Sequence, residues 1–206
     1  MSCQKGCPFP LRVPLLACPV VLFAAADYAD GKRSDMSCAP DDIELTGYYA
    51  GVLGKIIELH ATYYSHHWGF DVTFETQVGR EISDFMRDFL PGRDGFWVAL
   101  RNGHFAGSIS IDGRESQSEG ARLRWLIVEP ELHGTGIGST LIGKALAFCR
   151  EAGHRRVFLW TFRGLDTARK LYEQHGFRLT VEHTVDQWGT RLNEQKFEHY
   201  VDEAVE

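Results

Sequence analysis

The sequence predicts an α/β (α+β) fold: one mixed, mostly antiparallel central sheet with its elements in the order β-α-α-β-β-β-α-β-α-β-β. Three observations carry that prediction. Two stretches of helical periodicity precede most of the strands. An Asn102-Gly103 pair, a strong short hairpin signal, separates two runs of strand character. An apolar run ending at Pro130 passes through alternate glycines into another helical stretch.

Taken in order, residues 44–46 make a short first strand of weak propensity. Val52, Ile56, Leu59 and Tyr63 recur with helical spacing and predict a helix over 48–68. Val78, Ile82, Phe85 and Phe89 predict a second over 74–90, stopped by Pro91-Gly92. The hairpin strands run over 96–101 and 105–112. A polar loop then leads to a central strand over 121–128, in which Leu123, Trp125 and Ile127 alternate with Arg122 and Arg124. Ile137, Leu141, Ala145 and Phe148 share one face of the next helix, which ends near Gly153. Residues 156–162 form a strand, 166–175 a helix closed by Gly176, and 177–186 with 191–200 a last hairpin.

The 206 residues, 44% hydrophobic and 24% charged, suffice for one substantial core, expected over 41–206. A formal charge of -6, from 22 basic and 28 acidic residues, leaves no basic footprint for nucleic acid. No apolar run reaches the roughly 18–20 residues of a membrane span. Cys3, Cys7, Cys18 and Cys38 fall outside the expected domain and form no disulfide framework. Cys149, at helical spacing from Ile142 and Leu146, reads as a buried inert thiol. Lys5 and Arg12 precede an apolar run over 13–26 that resembles a secretory signal, but Pro14 and Pro19 interrupt it. Periodic sequence begins only after Asp41, so residues 1–40 are expected to be a disordered extension or to precede a true start at Met36.

The stretch from Leu126 to Ile142 carries the chemistry. A strand, a turn with Gly134, Gly136 and Gly138, and then a helix make an anion-binding arrangement, because the unpaired N-H groups of the helix's first turn point at the ligand. A Walker A loop requires Gly-Lys-Ser/Thr, and Gly138 is followed by Ser139 and Thr140. A dinucleotide fingerprint requires glycine in the sixth position, which counting from Gly134 gives to Ser139. The register that fits is His133-x-x-Gly136-x-Gly138, which resembles the Arg/Gln-x-x-Gly-x-Gly/Ala signature of the GCN5-related N-acetyltransferases. Downstream, Leu171-Tyr172-Glu173 followed by Gly176-Phe177 resembles that family's second block. The resemblance covers roughly residues 44–200. The segments around Phe74, Leu159-Trp160-Thr161-Phe162 and 188–195 look closest to the acetyltransferase half of bacterial proteins that fuse a winged-helix regulator to this domain.

The resemblance implies transfer of an acetyl group from acetyl-CoA to a primary amine through a ternary complex, without a metal, in a cytoplasmic monomer or homodimer. Its implied partners are acetyl-CoA and an amine acceptor, with no nucleic acid and no membrane. It assigns the pyrophosphate to the N-H groups of His133, Gly134, Thr135, Gly136, Ile137, Gly138 and Ser139, and the pantetheine arm to the strand edge at Ile127 and Val128. His133 departs from the usual Arg or Gln, and Asp166 stands where the family often has Asn near the cofactor. Tyr172 matches the general-acid tyrosine: a phenol of pKa near 10 stays protonated at neutral pH and can donate to a thiolate. An alkyl ammonium of pKa about 10 must also lose a proton before it attacks. Glu129 and Glu75 are candidates for that step, though each better suits a surface or capping carboxylate, and the sequence does not settle the base. On the implied acceptor side, Tyr64 and His67 belong to an aromatic and histidine cluster with His60, Tyr63, His66 and Trp68. His60 and His67 share a helix face without a third metal ligand. Trp188 either borders the acceptor or packs in a tight turn. A rival reading is a non-catalytic acyl-CoA sensor or partner-binding module.

Overall fold

A computed structural model describes residues 43–201; the expectations for residues 1–40 lie outside them. The elements are β1 (Ile43–Thr46), α1 (Val52–Trp68), α2 (Val72–Arg87), β2 (Gly95–Arg101), β3 (His104–Asp112), β4 (Ala121–Val128), α3 (Ile137–Glu151), β5 (Arg156–Phe162), α4 (Asp166–Gln174), β6 (Arg178–Gln187) and β7 (Thr190–Tyr200). A single 3-10 turn, Pro130–Leu132, sits between β4 and the glycines and has no counterpart in the expected order. The strands form one seven-stranded sheet in the order β1-β2-β3-β4-β5-β7-β6. Every pairing is antiparallel except β4 with β5.

Turn chemistry fixes both hairpins. Asn102 and Gly103 have φ of 53° and 74°, and Trp188 and Gly189 have 52° and 78°. Two successive positive φ values match the twist of the flanking strands, which is why two-residue loops of this kind join them. α2 is capped by Asp71, whose side chain accepts from the Thr73 N-H at 2.9 Å.

The sheet carries a core on each face. Val98 and Ala99 are successive residues of β2 and join different apolar clusters, so the clusters lie on opposite sides. On one side Ile137, Leu141 and Ala145 of α3 pack against Ile109, Leu123, Leu159 and Phe197, with Cys149 buried among them. Burial raises the Cys149 thiol to about 12, which leaves it inert. On the other side Val52 and Ile56 of α1 and Phe74, Val78, Ile82 and Phe85 of α2 meet Trp125 and Phe162. The buried stripe of α1 runs Val52, Ile56, His60. It therefore continues through a histidine, while Leu59 and Tyr63 are only half-buried.

β4 breaks the simple alternation expected of it. Ser108 pairs with Ile127 and Ser110 with Arg124, so Trp125 and Leu126 together oppose Ile109 in a β-bulge. Trp125 takes a φ of 47°, rare for a bulky residue, and its carbonyl accepts from the Ser108 hydroxyl at 2.9 Å. The extra residue turns Arg124 and Trp125 to the same face, where the guanidinium lies 4.1 Å from the indole centroid. Arg124 also pairs with Glu81 of α2 and, at 3.5 Å, with Asp112. β4 and β5 are joined only at Ala121 with Val157 and Arg122 with Phe158; beyond that the two strands run apart.

β3 approaches the end of β4 closely at Gly107, where a Cβ atom would stand 2.6 Å from the Ile127 carbonyl oxygen. Gly107→Ala should lower stability by about 1–3 kcal/mol, read as a drop in the urea midpoint; an unchanged midpoint would refute the close approach.

Candidate active site

The opening between β4 and β5 is a cleft of about 260 Å³. Its apolar wall comes from Leu123, Trp125 and Leu126 of β4 and Leu159, Trp160 and Phe162 of β5. α1 contributes His60 and Tyr64, α2 contributes Phe74, Gln77, Val78 and Glu81, α4 contributes Tyr172, and the β6–β7 hairpin contributes Trp188, Leu192 and Glu194.

The glycine loop lies beyond the end of β4. Gly134 and Gly136 have φ of 81° and 90° with nothing near a would-be Cβ, so conformation, not space, demands glycine there. Gly138 is different: its Cβ would meet the Leu171 side chain at 2.9 Å, and its absence lets α3 approach α4. The first α3 amide with a main-chain acceptor is Thr140, bonded to Gly136 O at 3.0 Å; among the described residues the N-H groups of Gly134, Gly136, Ile137, Gly138 and Ser139 have none. Thr135 is spent on Leu132 O at 3.3 Å. Five free donors at a helix N-terminus, where the helix dipole adds positive potential, form a grip for phosphate oxygens. The Ser139 hydroxyl bonds His175 Nε2 at 2.9 Å, tying α3 to the end of α4.

The edge of β4 facing the cleft supplies the next groups. The Glu129 N-H bonds Ala106 O of β3 at 3.0 Å, so by strand alternation the Val128 N-H, one residue back, points to the open side. The Val128 carbonyl faces the same way and is occupied: His133 Nε2 lies 3.0 Å from it and, opposite an oxygen that only accepts, must be the protonated nitrogen. His133 thus holds the strand edge in addition to opening the loop, and its ring stands edge-on to Tyr63 at 6.1 Å between centroids.

Tyr172 is 7% exposed, packed against Phe177 and Phe197, with its ring on the cleft. Burial pushes its pKa upward, so the phenol stays protonated. Tyr64 is raised also, by burial first and then by Tyr172 and Tyr63. Trp188 occupies the tight turn and also lines the cleft, donating from Nε1 to Gln77 Oε1 at 2.9 Å.

The remaining expected residues lie elsewhere. Glu129 follows β4 beside Glu131, Glu58 and Lys55, outside the cleft lining; burial, with those two carboxylates, raises its pKa. Glu75 is exposed on α2, one position past the inward Phe74. His67 is exposed, with Nδ1 on Tyr63 O at 2.8 Å. Asp166 is exposed at the start of α4. In their place the cleft holds His60 and Arg124, which sequence reasoning noted without assigning to the site. The i, i+4 spacing of Val52, Ile56, His60 and Tyr64 was the available signal for His60. No spacing rule exposes Arg124, because its direction depends on the bulge.

His60 is 6% exposed. Its Nδ1 lies 2.8 Å from Ile56 O and must donate, which leaves Nε2 unprotonated. Burial lowers its pKa to about 4, outweighing the opposite pull of the Ile56 hydrogen bond. The imidazole is therefore neutral at pH 7, with a free lone pair.

A sheet whose central parallel pair opens above a glycine loop defines the acyl-CoA N-acyltransferase fold. The acetyltransferase (GNAT) family model matches residues 54–177, well over half of the chain, and the chain belongs to that family. An uncharacterized N-acetyltransferase of Methanocaldococcus jannaschii is 33% identical over 88 residues, 41% of this chain and 39% of its own. Another from Archaeoglobus fulgidus is 30% identical over 105 residues, 48% of this chain and 71% of its own. The chain thus spans under half the length of the first relative. Among solved structures, a Salmonella typhimurium acetyltransferase with its cofactor acetyl-CoA superposes with a TM-score of 0.60 at 15% identity, over 80% of this chain and 96% of that one. Spermidine N-acetyltransferase from Vibrio cholerae, in complex with CoA and spermine, also gives 0.60, at 17% identity over 77% and 95%. At these identities the likeness is one of fold.

Gly136→Ala forces a side chain into the left-handed region at a cost of about 1–2 kcal/mol, so the loop should lose CoA affinity by roughly tenfold. Calorimetric titration with CoA measures this, and unchanged affinity would take the loop out of the grip.

Proposed function

We propose that the chain is an N-acetyltransferase that moves the acetyl group of acetyl-CoA to a primary amine within a ternary complex. The observation that carries this reading is the unpaired β4 edge, which runs from five free loop amides at one end to the Tyr172 phenol in the cleft. The loop amides take the pyrophosphate. The β4 edge takes the pantetheine, and the Val128 N-H is placed to polarise the thioester carbonyl. The amine nitrogen attacks the carbonyl carbon, the C-S bond breaks, and the Tyr172 hydroxyl delivers a proton to the departing sulfur.

The acceptor enters from the other side of the opening, between α1, α2 and the β6–β7 hairpin. Segments that look closest to the winged-helix fusion enzymes, at Phe74, 159–162 and 188–195, meet on this wall, so this reading assigns that likeness to acceptor binding. This reading assigns the reaction to the cytoplasm, where acetyl-CoA is available; separately, none of the described helices is long and apolar enough to cross a membrane.

Thiol release from acetyl-CoA is measured with a panel of spermidine, L-lysine, benzylamine and a tetrapeptide with a free N-terminus. Turnover with at least one of them is expected; CoA binding with no turnover on any would favour the sensor reading. Tyr172→Phe should lower kcat by on the order of 10²-fold and leave CoA affinity within twofold. An undiminished kcat would remove Tyr172 from the acid role.

A further inference from the structure

We propose that His60 is a catalytic residue: its Nε2 accepts the N-H of the acceptor amine and takes up that proton as the C-N bond forms. The inference rests on the transferase reading above. It starts from burial: His60 occupies the inward stripe of α1 at a position where helical spacing calls for an apolar residue. Burying a polar nitrogen without a partner is destabilising, so the ring needs a reason to be there. One nitrogen is accounted for by Ile56 O. Nε2 has no hydrogen-bond partner among the described residues, yet the one side-chain polar atom among them both fully enclosed and unpartnered is Ser110 Oγ. Nε2 therefore reaches open space, and the space that His60 borders is the cleft.

Its neighbours fit the role. The ring stacks on Tyr64 with centroids 6.1 Å apart, and Tyr64 in turn lies near enough to Tyr172 for the Tyr172 phenol to oppose its ionisation. Base and acid thus border one cleft, from α1 and α4, and the Tyr64 phenol neighbours both. Glu129, by contrast, is not among the residues lining the cleft and lies near Glu58 and Lys55. The Ile56 hydrogen bond fixes both tautomer and ring orientation, as the carboxylate does for a catalytic histidine.

The step balances. The nitrogen lone pair makes the C-N bond, one N-H proton passes to His60 Nε2, the C-S pair leaves on sulfur, and Tyr172 protonates it. Return of the proton from His60 to the Tyr172 phenolate along the cleft restores both groups, so the net change is one proton moved from nitrogen to sulfur. The amine must arrive neutral. Its N-H becomes acidic as the C-N bond forms and positive charge develops on nitrogen, so a weak base suffices, and one that remains unprotonated at pH 7 is always available.

The test compares wild type with His60→Gln, full chain, using whichever amine of the panel the wild type acetylates fastest. The expected result is a fall in kcat of on the order of 10²-fold with CoA affinity within twofold. A fall of less than tenfold overturns the proposal and leaves the transferase reading intact. No wild-type turnover on any amine removes both, through the first reading. Should His60→Gln lose CoA binding through misfolding, the ¹⁵N resonances of the wild-type His60 ring decide. They should report the Nδ1-H tautomer and a shift at Nε2 on addition of the same amine, and an unmoved Nε2 overturns the assignment.

Discussion

Everything in this structure turns on the hydrogen bonds that β4 and β5 do not make. Two parallel strands joined at two positions and then parted leave backbone donors and acceptors exposed in the middle of a sheet, where a continuous ladder is the rule. A gap of that kind closes unless the surrounding packing holds it open. The bulge at Trp125 bends β4 away, Gly107 lets β3 follow the bend, and the apolar cores on the two faces, each drawing on β4 and β5 alike, hold both strands against the helices. His133 satisfies one of the exposed carbonyls from outside the strand, so even the resting edge is partly occupied.

The two halves of the site are built from different materials. The donor half is main chain: amides of the glycine loop and the edge of β4, positioned by φ values and by a helix terminus. The acceptor half is side chain, drawn from helices and strands far apart in sequence. Arg124 ties β4 to α2 through Glu81, and Trp188 ties the last hairpin to α2 through Gln77 and through the Asp71 N-H on its carbonyl at 3.1 Å. These ties give the acceptor wall its shape, because α2 and the hairpin are otherwise joined to different parts of the sheet.

The donor half was the more legible in the sequence for the same reason. Glycines at fixed offsets announce backbone geometry directly, and Asn102-Gly103 announces a hairpin; the strands at 121–128 and 156–162 follow from their apolar patterns with the bounds observed. The Tyr172 block was readable because its spacing is local. Side-chain direction on the acceptor side was not. Reading α1 through Leu59 and Tyr63 favoured the apolar residues and passed over the i+4 histidine that is actually buried. Simple alternation along β4 placed Arg124 opposite Trp125, and only a pairing register shows that one residue is bulged out so that both share a face. The carboxylates weighed for the proton step, Glu129 and Glu75, are not among the residues that line the cleft.

The closing hairpin has a consequence for how such a protein changes over time. A grip of main-chain amides presents no side chain to alter, so substitution reaches it only by disturbing its glycines. The Trp188 turn is the reverse: a two-residue loop at the rim, held by an indole hydrogen bond, a main-chain bond and the packing of Trp188 on Phe70 and Phe74, bearing on a wall made of replaceable groups. Under the proposed function, drift there redraws which amine is admitted while the thioester is handled as before, so new acceptors are within reach of few substitutions and new donors are not.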